Sequence, residues 1–121
     1  MQNRTPLRER AYDYALKIIK FIDELNRRDA SVAIISNQLL RSATSIGANV
    51  IEAQAGSTRK DFTNFFTHAL KSANESKFWL GLLRDAGKAG KTETDSLLGE
   101  VTELANMLGA GVLTLKGKKK L

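Results

Sequence analysis

The 121-residue chain has no cysteine, one histidine and one proline. Without cysteine there are no disulfides, no thiolate metal sites and no cysteine nucleophile. The lone histidine, His68, follows Phe65 by three residues, whereas a di-iron bundle site takes Glu-x-x-His pairs from two helices. With no nucleophile at hand, His68 forms no triad either, and it is expected to pack or to hydrogen-bond. No apolar run approaches the roughly 18 residues of a membrane span. The opening "MQNRTPLRER" lacks the apolar segment of a secretory signal. No glycine-rich phosphate loop precedes a helix in the strand context such loops need. These absences lead to the expectation of a cytoplasmic, non-catalytic protein with no cofactor, metal, membrane or small-molecule substrate.

The 42% hydrophobic and 26% charged residues are those of one globular domain. Its net charge of +6 is unevenly placed. Lys116, Lys118, Lys119 and Lys120 follow every acid, so residues 1–115 hold 15 basic against 13 acidic residues, a net +2. The body, 1–115, is only mildly basic, and 116–121 is expected to be a disordered basic tail that favours anionic partners.

A single proline and no alternating β-branched runs predict an all-α chain. Leu7, Ala11, Tyr14, Ile18, Phe21 and Leu25 step by three and four, and Thr5 with Pro6 makes a helix start, predicting a helix over 6–28. Val32, Ile35, Leu39, Ala43, Ile46, Val50 and Ala53 predict a second over 31–55, capped by Ser31 or Ser36 and stopped by a left-handed Gly56. Thr58 and Asp61 form a capping box before Phe62, Phe66, Ala69, Ala73, Ser76, Leu80 and Leu83, giving a third helix over 59–86 closed by Gly87 and Gly90. Thr92 and Asp95 repeat the device before Leu97, Val101, Leu104, Leu108, Val112 and Leu115, giving a fourth over 93–115 that frays near Gly109 and Gly111. Breaks this short allow only antiparallel neighbours, so the expected fold is an up-down-up-down four-helix bundle.

Pairing the second and third helices about Gly56 and Ser57 sets Arg41 near Ser72 and Glu75. Arg41, Ser45, Asn49 and Glu52 then face Ser72 and Glu75 as a polar network, with an Arg41–Glu75 ion pair and hydrogen bonds from Asn49 and Glu52. Its expected role is to hold helix register.

The stretch "RSATSIGANVIEAQAG" raises a different question, because from Ser42 to Ala55 its only charge is Glu52. A surface helix normally keeps a charged face for water. Thr44, Gly47, Ile51 and Ala55 should point away from the core, as should Leu70, Phe78 and Leu82 on the third helix. Gly47, Ile51, Leu70 and Phe78 are therefore candidate contacts of a homo-oligomer.

These segments resemble a known family. "QLLRSATSIGANVIEAQAG" and "KDFTNFFTHALKSANESKFWLGLL" are similar to the central signature of the four-helix bundle proteins named for the 23S rRNA intervening sequence. The matching positions are Gln38, Leu39, Arg41, Ser45, Ile46, Ala48, Asn49, Glu52, Lys60, Asp61, Phe62, Ala69, Leu70, Ser72 and Glu75. The resemblance spans residues 38–83 and implies a bundle assembled as a homopentamer. The segments are similar as well to the accessory variability determinant of diversity-generating retroelements, a pentameric bundle that works with a reverse transcriptase and RNA. The family name records where the genes lie, and location is not mechanism.

Two functions follow. One is an accessory factor that binds structured RNA or another nucleic acid through Lys60, Lys71, Lys77, Arg84 and Lys88, which fall in a wedge of about 140° on the third helix, together with Lys118, Lys119 and Lys120. The aromatics, 7% of the chain, are not arrayed as stacking platforms for single strands. The alternative is a protein-interaction scaffold with no nucleic-acid role, in which the charge serves solubility.

Overall fold

The computed structural model describes residues 6–56 and 58–120, the last three by backbone alone. Four helices account for almost all of it: α1 (Leu7–Asp23), α2 (Ala30–Ala55), α3 (Arg59–Asp85) and α4 (Lys91–Lys120). There is no strand among the described residues, and the chain is an all-α four-helix bundle. Among the described residues, no helix is long and apolar enough to cross a membrane. The helices pack in chain order, α1 on α2, α2 on α3, α3 on α4, and α4 back on α1.

The three-four stripes become the core. Ala11, Tyr14, Ile18 and Phe21 of α1 meet Leu39, Ala43, Ile46 and Val50 of α2, with Ala69, Ala73, Leu80 and Leu83 of α3 and Val101, Leu104 and Leu108 of α4. Burying each large aliphatic side chain stabilises the fold by about 1.5–3 kcal/mol. Small residues let the helices approach closely. A Cβ on Gly111 would lie 2.7 Å from the Phe66 ring, so this glycine admits an aromatic side chain into the α3–α4 seam.

Helix ends differ from expectation where side chains compete for backbone groups. Thr5 lies outside the described residues, and Pro6 takes the capping position itself, its carbonyl accepting from the Arg10 N–H at 3.0 Å. Helix α1 stops at Asp23, not Arg28. Asn26 Oδ1 accepts the Arg28 N–H at 3.2 Å and Asp29 Oδ1 the Ser31 N–H at 3.0 Å, so the "LNRRD" stretch is a turn held by its own side chains. Asp29, rather than Ser31 or Ser36, caps α2.

Gly56 is not left-handed. It is extended, at φ −67° and ψ 147°, and is glycine for lack of room: a Cβ there would sit 3.3 Å from both the Ala53 carbonyl oxygen and Asp61 Cβ. Left-handed backbone occurs at Gly87, φ 70°. There Lys88 N–H bonds the Leu83 carbonyl at 2.9 Å and Gly87 N–H that of Arg84 at 3.0 Å, the double bond of a Schellman stop.

Thr58 caps α3, accepting the Asp61 N–H at 3.0 Å. Helix α4 begins at Lys91, two residues before the expected start at 93, so that the expected Thr92 cap falls inside the helix, with Gly90 accepting the Thr94 N–H. It continues unbroken through Gly109 and Gly111 to Lys120, so the expected frayed end and disordered tail are instead helical to that point. The side chains of Lys118, Lys119 and Lys120 lie outside the described residues.

One core group is unmatched. Ser36 Oγ is buried with no hydrogen-bond partner among the described residues. Ser36→Ala is expected to raise stability by about 1 kcal/mol, because it removes an unpaired hydroxyl and adds helix propensity. Urea unfolding tests this, and a lower midpoint in the variant would show that the hydroxyl is bonded after all.

Candidate functional site

The α2–α3 seam carries the polar line. Arg41 pairs with Glu75 and also donates to Gln38 Oε1 at 3.1 and 3.2 Å. Glu75 Oε2 accepts the Trp79 indole N–H at 3.1 Å. One turn along, Ser72 Oγ donates to Ser45 Oγ at 3.0 Å, and the Asn49 amide bonds the Ser45 carbonyl at 2.9 Å. Glu52 does not join: it is exposed to water and has no partner among the described residues. The Arg41–Glu75 pair is partly solvated, with side chains 57% and 34% exposed. Such a partly solvated pair adds only about 0.2–1 kcal/mol to stability. His68 is exposed and neither packs in the core nor hydrogen-bonds among the described residues.

The five cations expected to form one wedge divide into two sets. Arg84 bridges α3 to α4, with Asp95 at 2.8 Å and Asp85 at 2.8 Å. Hydrogen bonds to these two carboxylates hold its pKa above the usual guanidinium value. Lys88 lies in the α3–α4 turn, off the helix, and reaches Asp29 at the start of α2 at 2.7 Å. The Lys88 ammonium, then Ser31 and Val32, hold the Asp29 carboxyl well below the usual carboxylate range. That link is fully present above the ordinary carboxylate pKa and is lost as pH falls through the depressed one. Both cations therefore tie one end of the bundle together and are not free charge.

Lys60, Lys71 and Lys77 have no ion pair among the described residues. Lys60 and Lys71 are exposed and Lys77 is half-buried. Lys60 borders a groove of about 300 Å³ between α3 and α4, with Arg59, Thr63, Asn64, Leu115 and Lys116.

The outward apolar residues also divide. Gly47 faces inward, where a Cβ would touch Ala11 Cβ of α1 at 3.7 Å. Leu70 packs against the core. Both were expected on the surface from helix angle alone; both are half-buried, and Gly47 still lines the open groove between α1 and α2. Ile51 and Phe78 are exposed, at 44% and 57%. Ile51 lines a groove of about 780 Å³ between α1 and α2, floored by Ala11, Ala15, Gly47 and Ala48 and walled by Tyr12, Leu16 and Ile19.

Tyr12, Leu16 and Ile19 are missing from the sequence-derived candidates. Their spacing of four and three carried the signal, a second apolar stripe beside that of Ala11, Tyr14 and Ile18. Arg8, Glu9 and Asp13 complete the groove's lining with charge. Among the described residues, no three His, Asp or Glu side chains converge as metal ligands.

The family pattern described as 23S rRNA-intervening sequence protein matches residues 5–110. Among solved structures, the chain is similar to a protein of unknown function from the S23 ribosomal protein family of Bacteroides thetaiotaomicron. That likeness has a TM-score of 0.82 at 32% identity and covers 88% of this chain and 98% of the other. Comparison with curated proteins finds no match.

Proposed function

The chain belongs to the 23S rRNA-intervening sequence protein family, and from that premise we propose a non-catalytic, self-associating bundle that binds nucleic acid, with structured RNA preferred. The observation that carries this is the division of the cations. Arg10, Lys17, Arg41, Arg84, Lys88 and Lys91 are matched by acids, while among the described residues Arg59, Lys60, Lys71, Lys77 and Lys116 on α3 and α4 have no such partner, nor do Arg8, Lys20, Arg27 and Arg28 on α1 and in the turn after it. Charge left unmatched along α3 and the end of α4 is what a phosphate backbone attracts, and such contacts weaken steeply with salt.

An up-down-up-down order is supported by side-chain pairs in which a step forward on one helix meets a step back on the next. Asp29–Lys88 and Arg41–Glu75 link α2 with α3, and Arg10–Glu103 and Lys17–Glu100 link α1 with α4. Self-association is supported by the apolar α1–α2 groove and by Phe78 on α3, which lies outside it. Two unlike apolar surfaces on one chain suit a head-to-tail contact that repeats around a ring.

The test is the affinity of the full chain for structured RNA, duplex DNA and heparin across a salt series. Tighter binding to RNA than to its competitors is expected, with a steep salt slope and loss of binding in Lys60→Glu/Lys71→Glu. Equal affinity for every polyanion would remove the RNA preference. No binding at all would leave the apolar groove as evidence for a protein-interaction scaffold.

A further inference from the structure

We infer that the groove between the start of α3 and the last turns of α4 is a phosphate-binding cleft that takes the phosphodiester backbone of a bound RNA strand. This rests on the nucleic-acid function proposed above. The cleft has a volume of about 300 Å³, against about 30 Å³ for one water, so it can hold a phosphate group with part of its hydration.

The lining is of one sign. Arg59 and Lys60 come from α3 and Lys116 from α4, with no carboxylate among the lining residues. The two other main grooves mix signs, with Arg8 beside Glu9 and Asp13 in one and Lys17 and Lys20 beside Glu24 and Glu93 in the other. The nearby acid, Asp61, has its Cβ beside Gly56 in the α2–α3 turn and does not line the cleft. A pocket lined by one sign of charge focuses its field and concentrates counter-ions.

Donors are also present in the right kind. Arg59 offers a planar fork suited to phosphate oxygens, and the two lysines offer point charges. Asn64 contributes an amide, while the Thr63 hydroxyl donates to the Arg59 carbonyl at 2.8 Å and is not free as a donor. Leu115 closes the cleft with an apolar wall.

The cleft opens onto a track. At about 100° per residue, Lys60, Asn64, Thr67 and Lys71 lie on one face of α3, and 1.5 Å per residue separates Lys60 from Lys71 by about 16 Å. A single anion would need only the cleft, whereas a strand seated there meets a second cation further along the same face. A polyanion with regularly spaced charges uses both.

The experiment compares the unaltered 121-residue chain with two charge-reversed variants of it, Arg59→Glu/Lys60→Glu/Lys116→Glu and Lys20→Glu/Arg27→Glu/Arg28→Glu. The last makes the same change in net charge at the opposite end of the bundle. All six side chains are exposed, and equal helical content is checked first. A neutral Lys60→Gln/Lys116→Gln variant gives an intermediate test free of added repulsion.

The cleft variant is expected to bind RNA about tenfold or more weakly than the control, and to lower the log–log salt slope by ~2 to 3, as loss of up to three phosphate contacts requires. The neutral variant should fall between. If the unaltered chain binds RNA and the cleft variant matches the control, the cleft is overturned and RNA binding stands. If the unaltered chain takes up inorganic phosphate at Arg59 and Lys60 but not RNA, or if polyglutamate displaces RNA at equal charge concentration, the phosphodiester assignment falls.

Discussion

Glutamate at both Leu16 and Ile51 is expected to leave a folded chain with the 13.3 kDa native mass of one copy, whereas the unaltered protein should run as a multiple of it. The two residues are 39% and 44% exposed and, with Tyr12 at 65% and Ile19 at 41%, wall the α1–α2 groove. In a single copy their side chains reach water, so charging them costs the fold little. In an assembly that covers the groove, each carboxylate would be stripped of water without a partner, a penalty of several kcal/mol. The apolar floor with Arg8, Glu9 and Asp13 beside it has the anatomy of an interface with a polar rim. Sedimentation or light scattering reads the mass, and circular dichroism reads the fold. A double variant that keeps the unaltered mass would show that the groove is not where copies meet.

The second large effect concerns a bond inside the bundle. Tyr14 of α1 and Ser76 of α3 share a buried hydrogen bond across the core. Burial pushes the phenol well above its usual pKa, so it remains neutral and serves as a hydrogen-bonding group alone. Tyr14→Phe strands the Ser76 hydroxyl and Ser76→Ala strands the phenol, each at an expected cost of about 1–3 kcal/mol. The double variant should recover part of that loss, because a pair with both partners apolar leaves no orphan. Urea midpoints of the four proteins form the cycle. Strictly additive losses would mean that the two groups do not couple and that the bond contributes nothing.

Much of the bundle was legible in the chain because helix periodicity is a local property. Steps of three and four residues identified Ala11, Tyr14, Ile18, Leu39, Ala43, Ile46, Ala69, Ala73, Leu80, Leu104 and Leu108 as one apolar surface per helix, and all are buried. The number of helices followed, since Thr58 with Asp61 and Gly87 mark a start and a stop by local chemistry. The resemblance over residues 38–83 pointed to the family to which the chain belongs.

Only the tertiary structure decided who stands opposite each face. Helix angle put Gly47 and Leu70 outside, but Ala11 of α1 approaches the first at the floor of the α1–α2 groove and the second is half-buried against the core. The same angle made one wedge of Lys60, Lys71, Lys77, Arg84 and Lys88. Asp29, just before α2, pairs with Lys88, and Asp95 of α4 joins the neighbouring Asp85 on Arg84, so two of the three acids come from outside the α3 segment. The cleft joins Lys60 to Lys116 across more than fifty residues of chain, a proximity that no local period encodes. Sequence determines which side of a helix avoids water and where its backbone can start or stop. Packing determines which charges remain unmatched and which apolar surfaces remain uncovered, because both depend on a neighbour that the helix does not contain.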